Sequence, residues 1–337
     1  MSEGKPLVVQ LNWHARQSGV STHVTAICGP LAQRYEVRWN GDSRPASVPA
    51  ISVGEVFRRA KTEDVVWHAH RNNDLLLGCF LRLFRPRLRV VFTRHDSYPP
   101  GRFSKWVARK ADVMVTLNEE NASWMNAPST VIPHGVDPAR FRPPLGPREV
   151  AWAALSQGGR YGIGVVGRVR ENKGQADFVE AIAPLLPKFP EWRAVLVGLV
   201  QDKDAGFANA LKAKTNGALV LAGESREVER WYQGLSVLVN PSHGESFGLT
   251  LVEGMASGCC VVASRLSHVP KLIEHGRTGF LFEPRDVNGL REILEQLMRE
   301  PQRAAQVGAA AAEEARAKFG VERECEALAA VYSTKTR

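Results

Sequence analysis

The sequence predicts an α/β protein of two doubly wound domains, and three observations lead to this prediction. The chain has 337 residues, which is enough for two domains of roughly 100 to 200 residues each. Short apolar runs rich in β-branched residues alternate with stretches of helical periodicity, which is typical of parallel sheets covered by helices on both faces. The segment 141–152 interrupts this alternation with three prolines and one glycine, and we interpret it as a linker.

The predicted strands form two groups of five, one on each side of this linker. The first group lies at residues 7–11, 65–69, 90–93, 113–117 and 130–132, and the second at 162–166, 194–197, 218–221, 237–240 and 260–263. Helical stretches accompany the second group at 174–186, 204–214, 225–234, 247–256, 286–299 and 302–318. We therefore expect a first domain over residues 1–145, a second over 155–318 and a helical tail over 319–337. Because open α/β sheets bind ligands beyond the carboxyl ends of their strands, the two domains would face each other across a substrate cleft.

The composition excludes several classes of protein. Hydrophobic residues make up 44% and charged residues 23% of the chain, as in ordinary globular proteins rather than disordered ones. The five cysteines form no Cys-x-x-Cys pair, which indicates a reduced, cytosolic compartment. Residues 1–14 lack the features of a secretion signal, and no stretch approaches the roughly 18 apolar residues of a membrane span. We expect a cytoplasmic protein that is soluble or peripheral to a membrane.

The net charge of +9 lies almost entirely in one half of the chain. Residues 1–150 contain 21 Lys and Arg against 13 Asp and Glu, whereas residues 151–337 contain 23 against 22. This asymmetry indicates a nucleic acid, an anionic membrane surface or a phosphorylated substrate as partner, or else a solvated basic face with no partner. No helix-turn-helix signal and no interleaving of aromatic with basic residues supports nucleic acid. Basic and apolar residues cluster together at 81–90 and 102–110, which favours docking on an anionic membrane.

Gly162, Gly164 and Gly167 match the Gly-x-Gly-x-x-Gly dinucleotide fingerprint, but their context does not. The fingerprint requires an apolar strand before its first glycine and a helix that opens at its third, whereas here the apolar run lies inside the motif. We therefore predict that these glycines belong to a strand and bind no nicotinamide cofactor.

A pair of cations follows this strand directly. Arg168 and Lys173 flank a polar turn that leads into a helix from about residue 174. A guanidinium grips phosphate oxygens through two N–H groups, lysine adds a mobile charge, and a helix N-terminus attracts anions. The pair indicates an anion site, although an exposed charged turn would show the same pattern.

The segment after strand 237–240 carries two glutamates, Glu245 before a helix predicted from about Phe247 and Glu253 on its second turn. The backbone N–H groups of residues 246–249 would point toward a ligand together with the positive end of the helix dipole. An anionic ligand that also carries hydroxyl groups fits this combination of donors and carboxylates. The alternative is that Glu245 caps the helix and Glu253 lies on the surface.

Polar residues also follow strands in the first domain. Gly19 opens a helix after strand 7–11, where it could contact a phosphate. His95 follows strand 90–93, and His68 and His70 lie at the end of strand 65–69. No spacing of histidines, cysteines or carboxylates indicates a metal site, and the sequence contains neither a serine-hydrolase elbow nor a P-loop motif.

Taken together, these motifs resemble those of the GT-B glycosyltransferases of family 4 over nearly the whole chain. Three family motifs match in order: the Glu-x7-Glu signature at Glu245 and Glu253, the diphosphate residues at Gly167, Arg168 and Lys173, and the His-Gly-Val-Asp segment at 134–137. The segments 18–22, 67–73 and 131–137 are similar to those of lipopolysaccharide-core mannosyltransferases within this family.

The resemblance implies a role for each matching residue. Arg168 and Lys173 would neutralise the donor diphosphate, and Glu253 would hold the nucleotide ribose. The donor sugar would be held by Glu245 and by the backbone of Phe247, Gly248 and Leu249, and Ser246 would also contact the donor. His95 matches a histidine that lies near the transferred sugar. Ser18 stands where the family has a glycine before Gly19, and its hydroxyl would either contact the phosphate or narrow its site.

The implied activity is that of a retaining glycosyltransferase with Glu245 and His95 as catalytic residues. The donor would be a nucleotide-diphosphate sugar, expected to be GDP-mannose, and the acceptor a glycan or lipid-anchored glycan such as lipopolysaccharide core. Because cations and helix dipoles stabilise the leaving diphosphate, no metal ion or other cofactor is expected. Same-face attack and double displacement are both open as routes to retention. Two other hypotheses also stay open, a UDP-sugar transferase with a soluble acceptor and a non-catalytic basic binding module.

Overall fold

Each half of the chain builds a parallel sheet of six strands. The computed structural model describes residues 5–13, 19–266 and 268–333, and in it the chain divides into two units. The first unit contains Met1–Gly135 together with Val321–Arg337, and the second contains Val136–Gly320. Parallel sheets with interspersed helices confirm the predicted α/β fold class.

The strands of the first unit are β1 (Leu7–Asn12), β2 (Glu36–Gly41), β3 (Val65–Ala69), β4 (Leu88–Thr93), β5 (Val113–Thr116) and β6 (Thr130–Val131). Its helices before residue 135 are α1 (Gly19–Ala32), α2 (Val53–Arg59), α3 (Asn72–Arg82), α4 (Arg102–Ala108) and α5 (Glu119–Met125). The strands lie in the order β2-β1-β3-β4-β5-β6. Apolar side chains of the central strands, such as Val8, Val9 and Val90, are fully buried between the flanking helices.

The strands of the second unit are β7 (Tyr161–Val166), β8 (Trp192–Val197), β9 (Leu219–Gly223), β10 (Leu235–Asn240), β11 (Cys260–Ser264) and β12 (Phe280–Phe282). Its helices are α6 (Arg148–Ala153), α7 (Gln175–Ile182), α8 (Ala205–Lys214), α9 (Val228–Gly234), α10 (Leu249–Ala256), α11 (Val287–Arg299) and α12 (Pro301–Lys318). The strands lie in the order β12-β11-β10-β7-β8-β9. None of the described helices of either unit is both long and apolar enough to cross a membrane.

Two strands, β2 and β12, lie outside the predicted set. β2 is an edge strand in which buried and half-buried side chains alternate, so it lacks the continuous apolar run of a central parallel strand. β12 has only three residues, which is too short to show a periodicity.

The proline-rich segment 141–152, interpreted as a linker, contains helix α6 and belongs to the second unit. Arg148 donates hydrogen bonds to main-chain carbonyl oxygens of four residues, Tyr232, Gln233, Leu235 and Ser257. The indole of Trp152 is buried and donates to the carbonyl oxygen of Gly158 at 2.9 Å. Pro147 precedes the helix at its N-cap, so the prolines here lead into a packed helix.

Two of the three glycines of the false dinucleotide motif lie in the strand, as predicted, whereas Gly167 follows the end of the strand. Gly162 and Gly164 are inside β7. A Cβ atom on Gly162 would lie 2.4 Å from the ring of Trp152, and one on Gly164 would lie 2.5 Å from Val195. Both positions require glycine because neighbouring side chains pack directly on the strand backbone.

The last helix, α13 (Val321–Ser333), returns to the first unit. Its apolar side chains, among them Val321 and Leu328, join the buried cluster formed by Val24 and Ile27 of α1 and by the sheet. The hydroxyl of Tyr332 reaches the sheet and lies 2.7 Å from Nδ1 of His68. Residues 321–333 of the stretch interpreted as a helical tail thus form a helix in the core of the first unit.

We expect Leu328→Ala to destabilise the protein by about 2 to 5 kcal/mol, because it removes a side chain that is only 2% exposed from this core. Calorimetric unfolding measures the loss. Glu326→Ala, an exposed position on the same helix, is the control and should stay within about 0.5 kcal/mol of the parent. Equal losses in the two variants would contradict the burial of α13.

Candidate functional site

The second sheet reverses its direction of growth between β7 and β10. From β7 the chain adds β8 and β9 on one side, and it then places β10, β11 and β12 on the other. The connections that follow the neighbouring strands β7 and β10 therefore run in opposite directions along the sheet. Open α/β sheets bind ligands in the crevice at this point, beyond the carboxyl ends of the two strands. Arg168 and Lys173 come from the first loop, and Glu245 comes from the second. The structure thus brings these three residues to one switch point.

Three contacts hold these two loops together. The ammonium of Lys173 donates to Oε2 of Glu245 at 2.9 Å. The backbone N–H of His243 donates to the carbonyl oxygen of Asn172 at 3.2 Å. The His243 ring lies 2.8 Å from the carboxylate of Asp177 in the first turn of α7. Sequence reasoning did not single out His243 or Asp177, and only their nearness to the two motifs could have indicated them.

Gly174 allows the two loops to approach each other. Its φ of +69° is in the left-handed region, and it forms the N-cap of α7. A Cβ atom here would lie 1.9 Å from the carbonyl oxygen of Pro241 in the other loop. Both the backbone conformation and the space therefore require glycine.

Helix α10 begins at Leu249, two residues after the predicted start at Phe247. Gly248 is the N-cap with a φ of +88°, and no side chain in the described part of the chain caps this helix. Phe247 is buried and packs edge to face with Phe319, with 6.2 Å between ring centroids. The Ser246 N–H faces Oε1 of Glu245 at 3.2 Å. The start of α10 thus presents backbone donors and the positive end of a helix dipole at the crevice.

The two glutamates of the Glu-x7-Glu signature have different surroundings. Glu245 is half-buried and paired with Lys173, and it does not cap α10. Glu253 is buried within α10 and accepts a hydrogen bond from the hydroxyl of Tyr232 at 2.8 Å. Burial, with the charge of Glu253, raises the pKa of Tyr232 well above its usual range, so this hydroxyl keeps its proton as a donor. The alternatives of a capping Glu245 and a surface Glu253 are therefore wrong.

Arg168 is half-buried beyond the end of β7. Its carbonyl oxygen accepts a hydrogen bond from the side chain of buried Gln175 at 3.0 Å, which fixes the main chain at this point. Its guanidinium forms no ion pair with any residue that the structure describes. Arg168 can therefore direct its charge to an anionic ligand, whereas Lys173 shares its charge with Glu245.

The first sheet has a similar switch point between β1 and β3. Gly19 is exposed and is the first residue of α1, whereas Ser18 lies outside the described residues. His95 follows β4, and its ring nitrogens lie 3.0 Å from His70 and 3.1 Å from His134. His68 and His70, whose rings are 4.2 Å apart, belong to the same group. The structure thus brings the predicted histidines of the first domain together.

The histidine group also contains residues that sequence reasoning missed. Glu324 of α13 accepts hydrogen bonds on Oε1 from His23 at 2.8 Å and from His134 at 3.2 Å. The ligand atoms of these three buried residues lie within 4.8 Å of one another, so by residue type they could hold a metal ion. Hydrogen bonds account for their arrangement without one. No local signal could have identified Glu324, because it follows His134 by 190 positions and His23 by 301.

Comparison with known proteins identifies relatives over nearly the whole chain. Residues 160–300 match the family described as glycosyl transferases group 1. The lipopolysaccharide core biosynthesis mannosyltransferase LpcC of Rhizobium leguminosarum bv. viciae is 35% identical over 97% of this chain and 96% of its own length. The lipopolysaccharide core biosynthesis mannosyltransferase LpsB of Rhizobium meliloti (strain 1021) is 31% identical over 98% of this chain and 98% of its own length.

A solved structure supports the fold over the same range. Anabaena Alr3699/HepE, crystallised with UDP and glucose, has a TM-score of 0.83 over 97% of this chain and 99% of its own, at 19% identity. The two parallel six-stranded sheets and this likeness confirm the predicted GT-B fold class.

We expect Gly174→Ala to destabilise the second unit by at least about 1 to 2 kcal/mol, because the left-handed conformation is costly for alanine and its Cβ would collide with Pro241. Chemical denaturation measures the change. Gly206→Ala on the exposed face of α8 has no atom within 4 Å of the new Cβ, so it should be neutral or stabilise by about 0.5 to 1 kcal/mol. Parallel behaviour of the two variants would contradict the close approach of the loops.

Proposed function

Because this chain belongs to the group 1 glycosyltransferases, we propose that it transfers mannose from GDP-mannose to a lipid-anchored glycan such as lipopolysaccharide core, with retention of configuration. The observation that carries the proposal is the meeting of Arg168, Lys173, Glu245 and the start of α10 at the switch point of the second sheet. The full-length relatives named as core mannosyltransferases support the choice of sugar and acceptor.

In this proposal the donor diphosphate is bound by the loop after β7 and by the N-terminus of α10. Negative charge grows on the diphosphate as the bond from the anomeric carbon to its oxygen breaks. Arg168 offers a fork of N–H donors, and the backbone N–H groups of α10 offer fixed dipoles. Groups that are already oriented stabilise the transition state without reorganisation, which makes this the largest contribution of the second unit to the rate.

Lys173 and Glu245 act as a coupled pair. At 2.9 Å from Glu245, the ammonium neutralises the carboxylate before the donor binds, and its remaining N–H groups can contact phosphate. Glu245 is then held where it can accept hydrogen bonds from sugar hydroxyls and stabilise the electron-poor anomeric carbon.

Glu253 has the geometry of a ribose ligand. Tyr232 uses one lone pair of Oε2 and fixes the carboxylate orientation, and an ionised carboxylate has further acceptor positions for ribose hydroxyls. The glutamate is buried within α10, so its hydrogen bonds to a ligand are weakly screened by water.

Retention follows if the acceptor hydroxyl attacks the face from which the diphosphate leaves. The new bond joins the acceptor oxygen to the anomeric carbon, the bond to the diphosphate oxygen breaks, and a diphosphate oxygen takes the hydroxyl proton. A panel of GDP- and UDP-sugars with a lipid-anchored core acceptor tests the proposal, with product mass and anomeric configuration as readouts. Transfer from UDP-sugars alone would contradict the proposed donor, and no transfer from any donor would contradict the activity.

We expect Arg168→Ala and Lys173→Ala each to lower turnover more than they weaken nucleoside binding. Each removes a preorganised charge from the leaving diphosphate, and such a loss costs about 3 to 4 kcal/mol of barrier. Steady-state rates and nucleoside titrations measure the two effects. Lys212→Ala, an exposed lysine of α8, is the matched control. Rates within about tenfold of the parent in both variants would contradict the diphosphate assignment.

We expect the two glutamates to differ in which step their loss affects. Glu253→Ala should weaken nucleoside diphosphate and donor alike by about 1.5 to 3 kcal/mol, because both carry the ribose. Glu245→Gln should depress turnover without weakening nucleoside diphosphate binding, because Lys173 is released from its ion pair and stays available to phosphate. Calorimetric titration beside steady-state rates separates the cases. Unchanged binding in the first variant, or unchanged rate in the second, would refute the corresponding assignment.

We further propose that the first unit docks on an anionic membrane through a surface formed by α3, α4 and the turn after α3, here called the α3–α4 face. Large apolar side chains stand exposed there: Phe80, Leu83, Phe84, Phe103 and Trp106. Exposed cations lie at both ends of α4, among them Arg102 and Lys110, and the Lys110 ammonium is 5.2 Å from the centre of the Trp106 ring. Apolar side chains beside cations match a bilayer whose headgroups are negative and whose interior is apolar.

The structure changes which residues of this face can serve the membrane. Arg82 is paired with Asp112, and Arg85 donates to the carbonyl oxygen of Phe57 and lies over its ring. These two predicted membrane contacts are thus used inside the protein. The exposed rings therefore carry more of the proposed attachment than the sequence alone indicated.

We expect the double variant Phe103→Ser with Trp106→Ser to reduce binding to anionic vesicles at least about tenfold, because each buried ring contributes roughly 1.5 to 3 kcal/mol. Flotation on anionic and neutral liposomes at low and high salt measures it. Leu145→Ser, which alters an even more exposed apolar residue of the second unit, is the control. Equal flotation on neutral and anionic vesicles would contradict the role of charge, and unchanged flotation of the double variant would contradict the role of the rings.

A further inference from the structure

A row of hydrogen bonds passes through the interior of the first unit. It starts at Glu324 and continues to His134 at 3.2 Å, His95 at 3.1 Å and His70 at 3.0 Å, and it reaches Gln10 at 2.9 Å. The three rings follow different strands of the sheet, and the carboxylate comes from α13. The row therefore connects the carboxyl ends of the strands to the last helix of the chain.

Such a row has a direction. A neutral imidazole has one N–H and one lone pair, so each ring donates to one neighbour and accepts from the other. An ionised Glu324 can only accept, so Nδ1 of His134 carries the proton and its Nε2 accepts from Nδ1 of His95. By the same step, Nε2 of His95 accepts from Nδ1 of His70. The carboxylate thus selects the Nδ1–H tautomer in all three rings.

This direction also requires that the Gln10 side chain, at the far end of the row, donates a hydrogen bond to His70. Nε2 of His70 then has a lone pair and must accept a hydrogen bond. The Gln10 amide supplies the donor N–H after a half-turn that exchanges its oxygen and nitrogen. The amide oxygen then accepts from the hydroxyl of Tyr332, and this hydroxyl accepts from Nδ1 of His68. If the amide oxygen faced His70 instead, the row would have an acceptor at each end, Glu324 and Gln10. Its four hydrogen bonds would then need four protons from three rings, whereas three neutral rings carry only three.

Burial keeps the rings neutral and the hydrogen bonds keep the carboxylate charged. Burial lowers the pKa of His134 to about 4 and those of His70 and His95 well below their usual range. Burial opposes ionisation of Glu324, but His23 and His134 outweigh it and lower its pKa to about 2. The Gly135 N–H also donates to its Oε2 at 2.7 Å.

We propose that Glu324 and His134 are positioning residues that hold His95 in a single tautomer and ring orientation at the end of β4. The tautomer is a property of the first unit alone, and its effect on catalysis rests on the proposed function, which assigns His95 to the neighbourhood of the transferred sugar. A carboxylate that fixes a histidine through its second nitrogen is a common means of orienting a functional imidazole.

The variant Glu324→Gln should reverse the row. The Gly135 N–H is fixed in the backbone and needs an acceptor, so the glutamine oxygen takes that position and its NH2 group faces His134 and His23. His134 must then accept on Nδ1 and donate from Nε2, and His95 and His70 follow. All three rings should change from Nδ1–H to Nε2–H.

Nitrogen NMR of protein labelled at its histidines distinguishes these tautomers directly. We expect Nδ1–H for His134, His95 and His70 in the parent protein, the reverse in Glu324→Gln, and no change in Glu326→Gln, an exposed position of the same helix. Turnover of Glu324→Gln should fall at least about tenfold with nucleoside diphosphate affinity unchanged, because the proposed donor residues lie in the second unit.

Several outcomes would overturn the proposal. Nε2–H tautomers in the parent protein would do so even if Glu324→Gln failed to fold, and so would a stoichiometric metal ion in the purified protein, because His23 and His134 would then be ligands. Reversed tautomers with unchanged turnover would refute the positioning role. Absence of sugar transfer by the parent protein would refute the proposed function, and the spectra would still decide whether Glu324 sets the tautomers.

Discussion

The geometry of parallel strands is the constraint on which the rest of this structure depends. A crossover between parallel strands is right-handed and lets each strand begin at the same end of the sheet. Every loop that follows a strand therefore emerges at the opposite end, where the carboxyl ends of the strands lie. Where the order of strands reverses, between β7 and β10 and again between β1 and β3, the connections that follow two neighbouring strands run in opposite directions along the sheet. The functional groups of each unit gather there because their elements leave a crevice that no helix fills.

Buried polar groups impose a second constraint, since each must find a partner or cost stability. The two units meet it in different ways. In the second unit, carbonyl oxygens surround the guanidinium of Arg148, and Tyr232 satisfies Glu253. In the first, a single carboxylate, Glu324, accepts from two rings and one backbone N–H. A network satisfied in this way is specific, because replacing one member alters the hydrogen bonding of the others.

The sequence predicts the central strands, most helices of the second unit and the residues of its crevice, because each depends on local pattern. Continuous apolar runs predict β7 and β8, and the residues after them are adjacent in the chain. The edge strand β2 and the three-residue strand β12 are not predicted, because their burial depends on residues that are distant in the chain. The pairing of Lys173 with Glu245 and the hydrogen bond between Glu324 and His134 are not predicted for the same reason. Each joins residues that are far apart in the chain, and such a contact leaves no local pattern in the sequence. Segment 141–152 misleads because its prolines lead into a helix held by Arg148.

The return of α13 to the first unit also affects how the chain folds during synthesis. The core of that unit needs side chains from α13, whereas residues 136–320 contain the strands and helices described for the second unit. During synthesis, all strands and helices of the second unit are therefore made before α13 can cover its site on the first unit. Vectorial synthesis usually favours the opposite order, with N-terminal domains folding first. For this chain, the core of the first-made half is complete only after α13 has been synthesised and has packed onto it.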